Sequence, residues 1–330
     1  MTPALPNPAL PDEVTPNFAH KPVRWAMQHL GVIFAVLWGA ATITFVVVKL
    51  IPGDPVSILT GGENVVDEAA RAVLIQQYGL DRPLAVQYAR YLSHALVGNF
   101  GESYQYRQPV ISVIFEAAVP TLQLASGAIV LALSLAVINA LATAGQRRWL
   151  RTALSGLELA LLSTPVYWIG IVLLALFSFR LHWFPVTGND GFAALVLPAI
   201  SLSLPVAALL SQVLRDGLEE ALSQPFALTV RTRGVSEIAL RVRHGLRHAA
   251  LAVSTLSGTM LAGVLGGSIL TETVFGRAGI GQITLQAIKT RDMPLVLGLV
   301  MMSALVFVVI NLVVDALYFI IDPRLRRARV

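Results

Sequence analysis

A polar segment rich in arginine interrupts an otherwise apolar sequence at about residues 215–250. The guanidinium groups of Arg231, Arg233 and Arg243 can form charge-assisted hydrogen bonds with carboxylates, and His244 adds a further donor. Such a segment has to lie in water, because ionised side chains are costly in lipid. We therefore interpret it as the place where a membrane-embedded body meets a soluble partner protein.

No arrangement typical of catalysis or of metal binding is visible in the sequence. It lacks the HExxH and GxSxG patterns, it contains no cysteine, and its six histidines are not grouped with carboxylates. The phosphate-binding pattern GxxxxGK[ST] is also missing, since Lys21, Lys49 and Lys289 have no such glycines before them. We therefore expect no catalytic residue, no metal site and no cofactor bound by this chain.

The remainder of the chain is apolar enough to cross a membrane several times. Apolar residues make up 55% and charged residues 13% of 330 positions, and the mean hydropathy is +0.71. A bilayer core of about 30 Å requires roughly 20 apolar residues of helix. Stretches of that length lie at about 30–50, 121–143, 154–178, 193–214, 253–275 and 295–320. The sequence therefore predicts an all-α membrane protein with six transmembrane helices.

The basic residues predict the orientation of these helices. If both termini are cytoplasmic, most of the 24 lysines and arginines fall on the cytoplasmic side. The short outer loops then hold only Arg180, Arg277, Lys289 and Arg291. Because short cytoplasmic loops are enriched in such residues, we place both termini inside. Topology then accounts for the isoelectric point near 9.8, and nucleic-acid binding is not expected.

The chain divides into four regions. Residues 1–24 are polar and rich in proline, which predicts a disordered cytoplasmic N-terminus. Residues 25–114 hold the first transmembrane helix and a large outer loop, in which we expect an amphipathic helix near 84–97. Residues 115–320 hold the other five spans and the polar loop, and residues 321–330 form a basic cytoplasmic tail.

Polar side chains occur inside or at the margins of the predicted spans, namely Asn139, Glu158, Glu272 and Asp315. Ionisable groups in a membrane are often functional. Glu158 and Asp315, however, lie near the predicted cytoplasmic ends, where a carboxylate can reach the interface or pair with Arg151 or Arg324. We favour a structural role for both. Glu272 either lines a path or pairs with Arg277, and both interpretations stay open.

The fifth predicted span carries small residues on one side. They are Ser254, Gly258, Ala262 and Gly266 at every fourth position, with Gly263 and Gly267 forming a GxxxG motif. Small residues at this spacing let another helix approach closely. This side either packs within the chain or borders a path for a transported molecule, and both interpretations stay open.

Short motifs in a fixed order resemble a known family. They include Pro52-Gly-Asp-Pro55, Tyr78-Gly-Leu-Asp-Arg-Pro83, Gly98-Asn-Phe-Gly-Glu-Ser103, Ser163-Thr-Pro-Val-Tyr-Trp-Ile-Gly170, Glu272-Thr-Val-Phe275, Gly279-Ile-Gly281 and Arg291-Asp-Met-Pro294. The chain is similar to permease subunits of bacterial ABC importers for dipeptides, oligopeptides and nickel, in particular to the first permease of the pair, which has a large outer loop. The resemblance runs from about residue 24 to 326 and implies a type I ABC importer transmembrane domain.

In such importers a cytoplasmic loop, the EAA motif, docks on the ATPase. The resemblance assigns this coupling to Glu220, Phe226, Arg231, Arg233, Gly234, Arg243 and His244. Gly234 would permit a tight turn between two helices. The stretch before it departs from the usual TARAKG pattern, since it reads TVRTRG. The alternative is a basic loop that serves only topology and lipid headgroups.

The resemblance also implies partners and a location. We expect a second, related permease, two ATPase subunits that use ATP and Mg²⁺, an extracytoplasmic substrate-binding protein and membrane lipids, all at the bacterial inner membrane. Dipeptides or oligopeptides are the first choice of substrate, with nickel chelates, opines and glutathione as alternatives. A self-sufficient secondary transporter is the competing class, but it predicts inverted repeats and interrupted helices with polar midplane sites, which are not visible.

Overall fold

A computed structural model describes residues 21–50, 68–78, 81–145 and 148–321 of the chain. Its helices are α1 Lys21–Leu50, α2 Glu68–Tyr78, α3 Leu84–Leu96, α4 Val110–Thr143, α5 Arg148–Ser163, α6 Val166–Leu173, α7 Ala193–Ser223, α8 Pro225–Thr232, α9 Glu237–Ala239, α10 Leu246–Val274, α11 Ile280–Lys289 and α12 Met293–Ile321. No strand occurs in these ranges. The predicted disordered N-terminus and basic tail lie almost wholly outside them, as does the side chain of Asp315.

All six predicted apolar runs fall within helices, namely α1, α4, the pair α5 and α6, α7, α10 and α12. In the described part of the chain, Val110–Thr143, Ala193–Ser223 and Met293–Val313 are each long and apolar enough to cross a membrane, and the pair α5 and α6 would make a fourth span. The prediction of an all-α membrane protein is confirmed. The count of six spans stays a prediction.

The run expected as one span at 154–178 is broken in the middle. Helix α5 ends at Ser163 and α6 begins after Pro165, and the two are bent by 103°. Proline has no N–H to donate and disfavours the helical conformation of the residue before it, so the break falls at Pro165. Beyond α6 the chain continues as a π-helical turn, Leu174–Arg180.

The centre of the bundle is the contact between α4 and α7. On α4, an alanine occurs at every fourth position along the contact, at Ala128, Ala132, Ala136 and Ala140, and each is at most 1% exposed. Because small side chains at this spacing let two helices approach closely, α7 packs tightly against this side of α4. Leu210 and Leu214 of α7 fill the half of the contact nearer the C-terminal ends of α4 and α7, together with Ala249 of α10.

At the opposite end, the carboxylate of Asp292 fixes the outer segment to α12. Asp292 is fully buried. It accepts hydrogen bonds from the Ser103 hydroxyl and the Gln105 backbone amide, the latter at 3.1 Å. Its other oxygen accepts from the Leu295 amide at 3.3 Å. This carboxylate therefore satisfies an orphan donor at the start of α12 while holding the loop before α4.

The amphipathic helix expected near 84–97 is α3, and it packs on the C-terminal half of α1. The hydroxyls of Tyr88 and Thr42 lie 2.6 Å apart, and Lys49 donates to the Gln87 side chain at 2.6 Å. The ring of Phe45 stacks on that of Tyr91 with centroids 5.8 Å apart. These contacts join the outer segment to the first helix.

Candidate functional site

The polar segment predicted to meet a soluble partner forms a helix, a turn and a second helix. Helix α7 extends beyond its apolar run to Ser223, and Gln224 adopts an extended conformation before α8 begins at Pro225. Proline is favoured at a first helical position, because its missing N–H would have no intrahelical partner there. Helix α8, Pro225–Thr232, therefore stands as a separate short helix at the base of α7.

The turn after α8 depends on Gly234. Its φ is +77°, in the left-handed region that is costly for residues with a Cβ. Its amide donates to the Arg231 carbonyl at 2.9 Å. A left-handed turn at Gly234 therefore separates α8 from α9.

An ion pair closes the same turn. Arg231 Nε donates to Glu237 Oε1 at 2.7 Å, and the Ser236 hydroxyl accepts from the Ala239 amide and caps α9. The hydrogen bond from Arg231 lowers the pKa of the Glu237 carboxyl, and the same bond raises the pKa of Arg231. Arg231 thus has a partner inside the loop, whereas the exposed Arg233 projects into water.

Aromatic stacking anchors α8 to α10. The ring of Phe226 stacks on the imidazole of His248 with centroids 4.9 Å apart, and Ala227 is fully buried. Leu228, in contrast, is 65% exposed. Helix α8 therefore has one side fixed to the bundle and an apolar side chain directed away from it.

Basic residues line a cavity of about 540 Å³ beside this anchor, namely Arg243, His244, Arg247 and His248. Arg243 and His244 belong to a π-helical turn, Leu240–Gly245, which leads directly into α10, where Arg247 and His248 lie. Flanking them, Ile238 is 74% exposed and Val242 is 49% exposed. The remaining predicted residue, Glu220, is exposed near the end of α7.

The two limbs of the loop meet through small residues that were not singled out from the sequence. A Cβ on Gly217 of α7 would lie 3.1 Å from Cα of Ala249 on α10, and a Cβ on Gly245 would lie 2.8 Å from Cδ2 of Leu218. A Cβ on Gly217 would press on the backbone of α10, whereas a Cβ on Gly245 would displace the end of the Leu218 side chain. The close contact of α7 and α10 therefore sets the angle at which α8 is presented.

Arg241 is a second residue that was counted only as a basic charge. Its Nη1 donates to the Leu141 carbonyl at 3.4 Å, in the last turn of α4. A cation at a helix C-terminus interacts favourably with the helix dipole and with the unpaired carbonyls there. Arg241 thus connects the polar loop to α4. No sequence pattern pointed to this contact, which joins positions 100 residues apart.

The small residues of α10 separate into two groups. A Cβ on Gly267 would lie 3.1 Å from Cδ1 of Leu202, so Gly267 packs against α7 within the chain. A Cβ on Gly263 or Gly266 would meet nothing within 4 Å. The surroundings of Gly258 and Ala262 lie outside what the structure describes.

Glu272 sits in a buried network between helices. It is fully buried, and its Oε1 accepts from the Thr121 hydroxyl at 2.6 Å while its Oε2 accepts from the Gly281 amide at 2.7 Å. The Thr121 oxygen in turn accepts from the Ile280 amide at 2.8 Å. Glu272 and Thr121 therefore satisfy orphan amides at the start of α11, where a negative charge is favoured.

The alternative partner for Glu272, Arg277, is engaged elsewhere. Its Nη1 donates to the Ala194 carbonyl at 3.1 Å. Burial lowers the pKa of Arg277, and the charge of nearby Glu272 partly opposes that shift. Gly279 explains the close approach to Glu272, since a Cβ there would lie only 2.4 Å from the Glu272 carboxyl.

Glu158, for which a structural role was favoured, pairs with an arginine of another helix. Glu158 forms a buried ion pair with Arg215 of α7, whereas Arg151 pairs with Glu219 at 2.9 Å. Pairing with Arg151 was one of several possibilities for Glu158, and it does not occur, because Arg151 lies two turns away on the same helix.

No cluster suited to a metal ion is formed by the histidine, aspartate and glutamate side chains that the structure describes. The described loop instead offers exposed guanidinium groups, imidazoles and apolar side chains at the base of a helical bundle. Such a combination of groups is suited to contact with a protein surface.

Family models match nearly the whole chain. A model described as a binding-protein-dependent transport system inner membrane component matches residues 128–327. A second, described as the N-terminal part of a binding-protein-dependent transport system membrane component, matches residues 23–136.

Similar proteins cover the same length. The glutathione transport system permease protein GsiC of Salmonella paratyphi A is 35% identical over 305 residues, which are 92% of this chain and 99% of the relative. The protein of that name from Escherichia coli K12 is 32% identical with the same coverage. The crystal structure of an amino acid ABC transporter superposes with a TM-score of 0.50 at 13% identity, covering 63% of this chain and 94% of the other, which is a likeness of fold alone.

Proposed function

The chain belongs to the family of binding-protein-dependent transport system inner membrane components, the permease subunits of ABC importers, and we propose that it carries short peptides into the bacterial cell at the expense of ATP. In this proposal both termini are cytoplasmic and the loop around α8 faces the cytoplasm, as the distribution of basic residues favours. The chain itself performs no chemical reaction.

The observation that carries the proposal is the geometry of the loop. Helix α8 presents Leu228 outward, Gly234 turns the chain, and the cavity behind it is lined by arginines and histidines. Exposed apolar side chains ringed by guanidinium groups are typical of a protein-binding surface. We propose that an ATPase subunit docks here and that ATP and Mg²⁺ are bound by that subunit, because this sequence has no phosphate-binding loop.

Two ATPase subunits, a second related permease and an extracytoplasmic binding protein would complete the assembly within membrane lipids. The large outer loop argues for a non-identical second permease, since two such loops would crowd one entrance. Nucleic acid has no place in this assembly. The basic residues are accounted for by topology and by the ATPase surface.

Glutathione, a tripeptide, is the first substrate to test, because relatives that are 32 to 35% identical over 92% of the chain carry it in their name. Other dipeptides and oligopeptides remain within the proposal, and nickel chelates and opines are the further alternatives. The binding protein is expected to do most of the choosing, so the substrate of the system is the ligand of that protein.

Reconstitution tests the proposal. A tagged chain purified from its native membrane should bring with it a second permease and ATPase subunits. Vesicles containing that complex, with the binding protein outside and ATP inside, should accumulate labelled glutathione, and they should not do so when the ATPase subunits are left out. Uptake by this chain alone, driven by an ion gradient and indifferent to ATP, would show that it is a secondary transporter.

A further inference from the structure

Helix α5 is attached to the bundle in an unusual way. Between Trp149 and Ser163, the one buried residue is the charged Glu158, which is 2% exposed. Several of its apolar residues point outward, with Trp149 at 67% and Leu159 at 63% exposed, while Leu150, Leu154 and Leu161 are half-buried. An amphipathic helix normally joins its neighbours through an apolar stripe. In helix α5 that stripe is only half-buried, and its buried group is a carboxylate.

The partner of that carboxylate is held in a fixed geometry. Arg215 donates from Nη1 to Glu158 Oε1 at 3.0 Å and from Nη2 to Oε2 at 2.8 Å. Asn139 of α4 donates to the same Oε1 at 2.8 Å. Both charged side chains are at most 4% exposed. A bidentate arginine–carboxylate pair fixes orientation as well as distance, because two parallel hydrogen bonds must form together.

A second, more exposed pair follows the same register. Arg151 lies seven residues before Glu158 on α5, and Glu219 lies four residues after Arg215 on α7, and these two groups are 2.9 Å apart. The helices thus run antiparallel with the charges matched along their contact. Sliding α5 along α7 would separate both pairs. An apolar contact, by comparison, has little directional preference.

The position of Arg215 on α7 determines which segments the buried ion pair connects. It lies in the last turns of α7, which ends at Ser223 directly before α8. At its other end, α5 leads across the 103° bend into α6. The buried pair is therefore the link between the segment that bears α8 and the helices α5 and α6 on the outside of the bundle.

We infer that Glu158 and Arg215 are positioning residues that make α5 move as one body with the cytoplasmic end of α7, so that a displacement of α8 is passed to α5 and α6. The inference rests on the proposed function, in which a docked ATPase moves α8. It assigns the pair a mechanical role in transport beyond holding the fold together.

Cross-linking tests directly whether α5 and the end of α7 move together. The chain has no cysteine, so Arg151→Cys with Glu219→Cys can be joined by a short bis-maleimide in the reconstituted complex, leaving the buried pair intact. If α5 and α7 move together, the joined complex retains uptake to within about twofold of the unjoined one. Loss of uptake by about tenfold or more on joining, absent in both single-cysteine variants, would overturn the inference.

A paired substitution separates mechanics from stability. Replacing both buried charges with apolar groups of similar volume is often neutral for folding, whereas removing one charge is not. Glu158→Leu with Arg215→Met should therefore assemble with its partners and keep ATP hydrolysis, yet lose uptake about tenfold or more. Uptake equal to that of the wild type would show that the pair only holds the helices together.

The matched control is the exposed pair. Arg151→Met with Glu219→Leu should change uptake by less than about twofold, because solvent-exposed pairs contribute little. The wild-type complex in the same vesicles tests the proposed function separately, since its failure to use ATP would appear without any substitution. If the buried double variant does not assemble, the cross-linking result decides the inference alone.

Discussion

Gly234 is the residue at which the local backbone conformation sets the shape of the loop around α8. With φ at +77°, Gly234→Val should introduce strain of about 1 to 3 kcal/mol. Because a Cβ there meets nothing within 4 Å, the cost is conformational and not steric. We expect a permease that inserts into the membrane but retains little ATPase on purification and transports nothing.

The control for this change is another glycine without neighbours. Gly156 on α5 also has nothing within 4 Å of an added Cβ, and its φ is helical. Gly156→Val should therefore leave both ATPase recovery and uptake near wild type. Normal uptake by the Gly234→Val protein would show that the turn does not position α8.

Thr121 is the residue whose role depends most on partners that are remote in sequence. Its hydroxyl donates to Glu272 and accepts from the Ile280 amide. Thr121→Val removes both bonds, and leaving buried polar groups unpaired costs about 1 to 3 kcal/mol. We expect a lower midpoint of thermal unfolding in detergent, while Thr121→Ser, which keeps the hydroxyl, should lose much less. Equal loss in both variants would assign the effect to the methyl group.

The same site shows where reasoning from the sequence stops. From the sequence, Glu272 could either line a path or pair with Arg277, and both interpretations were open. In the structure, Glu272 accepts hydrogen bonds from the Thr121 hydroxyl and from the Gly281 amide at the start of α11. That choice depends on how α4 and α10 pack, which no local pattern encodes. Gly234, by contrast, was readable, because a left-handed turn is a local property of the chain.

At the scale of elements, the contact of α1 with α3 predicts opposite outcomes for two similar tyrosines. The Tyr88 hydroxyl is hydrogen-bonded to Thr42, whereas the Tyr91 hydroxyl is buried without a partner in the described residues. Tyr88→Phe should lower stability by about 0.5 to 1.5 kcal/mol. Tyr91→Phe should leave stability unchanged or raise it, because it removes an unsatisfied buried group. Thermal unfolding of the two variants in detergent measures the difference.

Alkaline titration checks the same contact. Burial raises the pKa of Tyr91 to about 12, with Tyr88 adding to the shift. Below pH 10 the phenol is protonated in both the folded and unfolded states, so it adds no pH dependence. Between pH 10 and about 12 the unfolded state loses the proton first, and the folded protein should lose stability as the pH rises. Tyr91→Phe should show a shallower decline across that window, and an identical decline would contradict the assignment.

Helix existence was easier to predict from the sequence than helix shape. Long apolar runs located every major helix, because backbone in lipid must satisfy its own hydrogen bonds. The run at 154–178 was nevertheless predicted to be continuous, although Pro165 marks the point where α5 and α6 part. The alanines of α4 at every fourth residue also indicate a close helix contact. The break at Pro165 and this contact could both be predicted from the sequence, whereas the ion pair of Glu158 with Arg215 depends on how α5 and α7 pack.

At the scale of the whole molecule, the six-span topology is the prediction that experiment can test most directly. It places the outer segment and α3 outside the cytoplasm and α8 inside, as the basic residues indicate. Since the natural chain has no cysteine, single cysteines report on these positions without background. Ser93 on α3 and Thr229 on α8 are both exposed, which suits them to labelling, whereas the buried Ser103 would be a poor choice.

An impermeant maleimide should label Ser93→Cys in intact cells. It should label Thr229→Cys only after the membrane is opened, because the reagent must reach the cytoplasmic face. The cysteine-free chain is the control for reaction with other proteins. Labelling of position 229 but not 93 in intact cells would invert the molecule and move the basic surface around α8 away from any ATPase. Labelling of both in intact cells would contradict the odd number of spans, three, that this topology places between them, and the proposed coupling would then lose its structural basis.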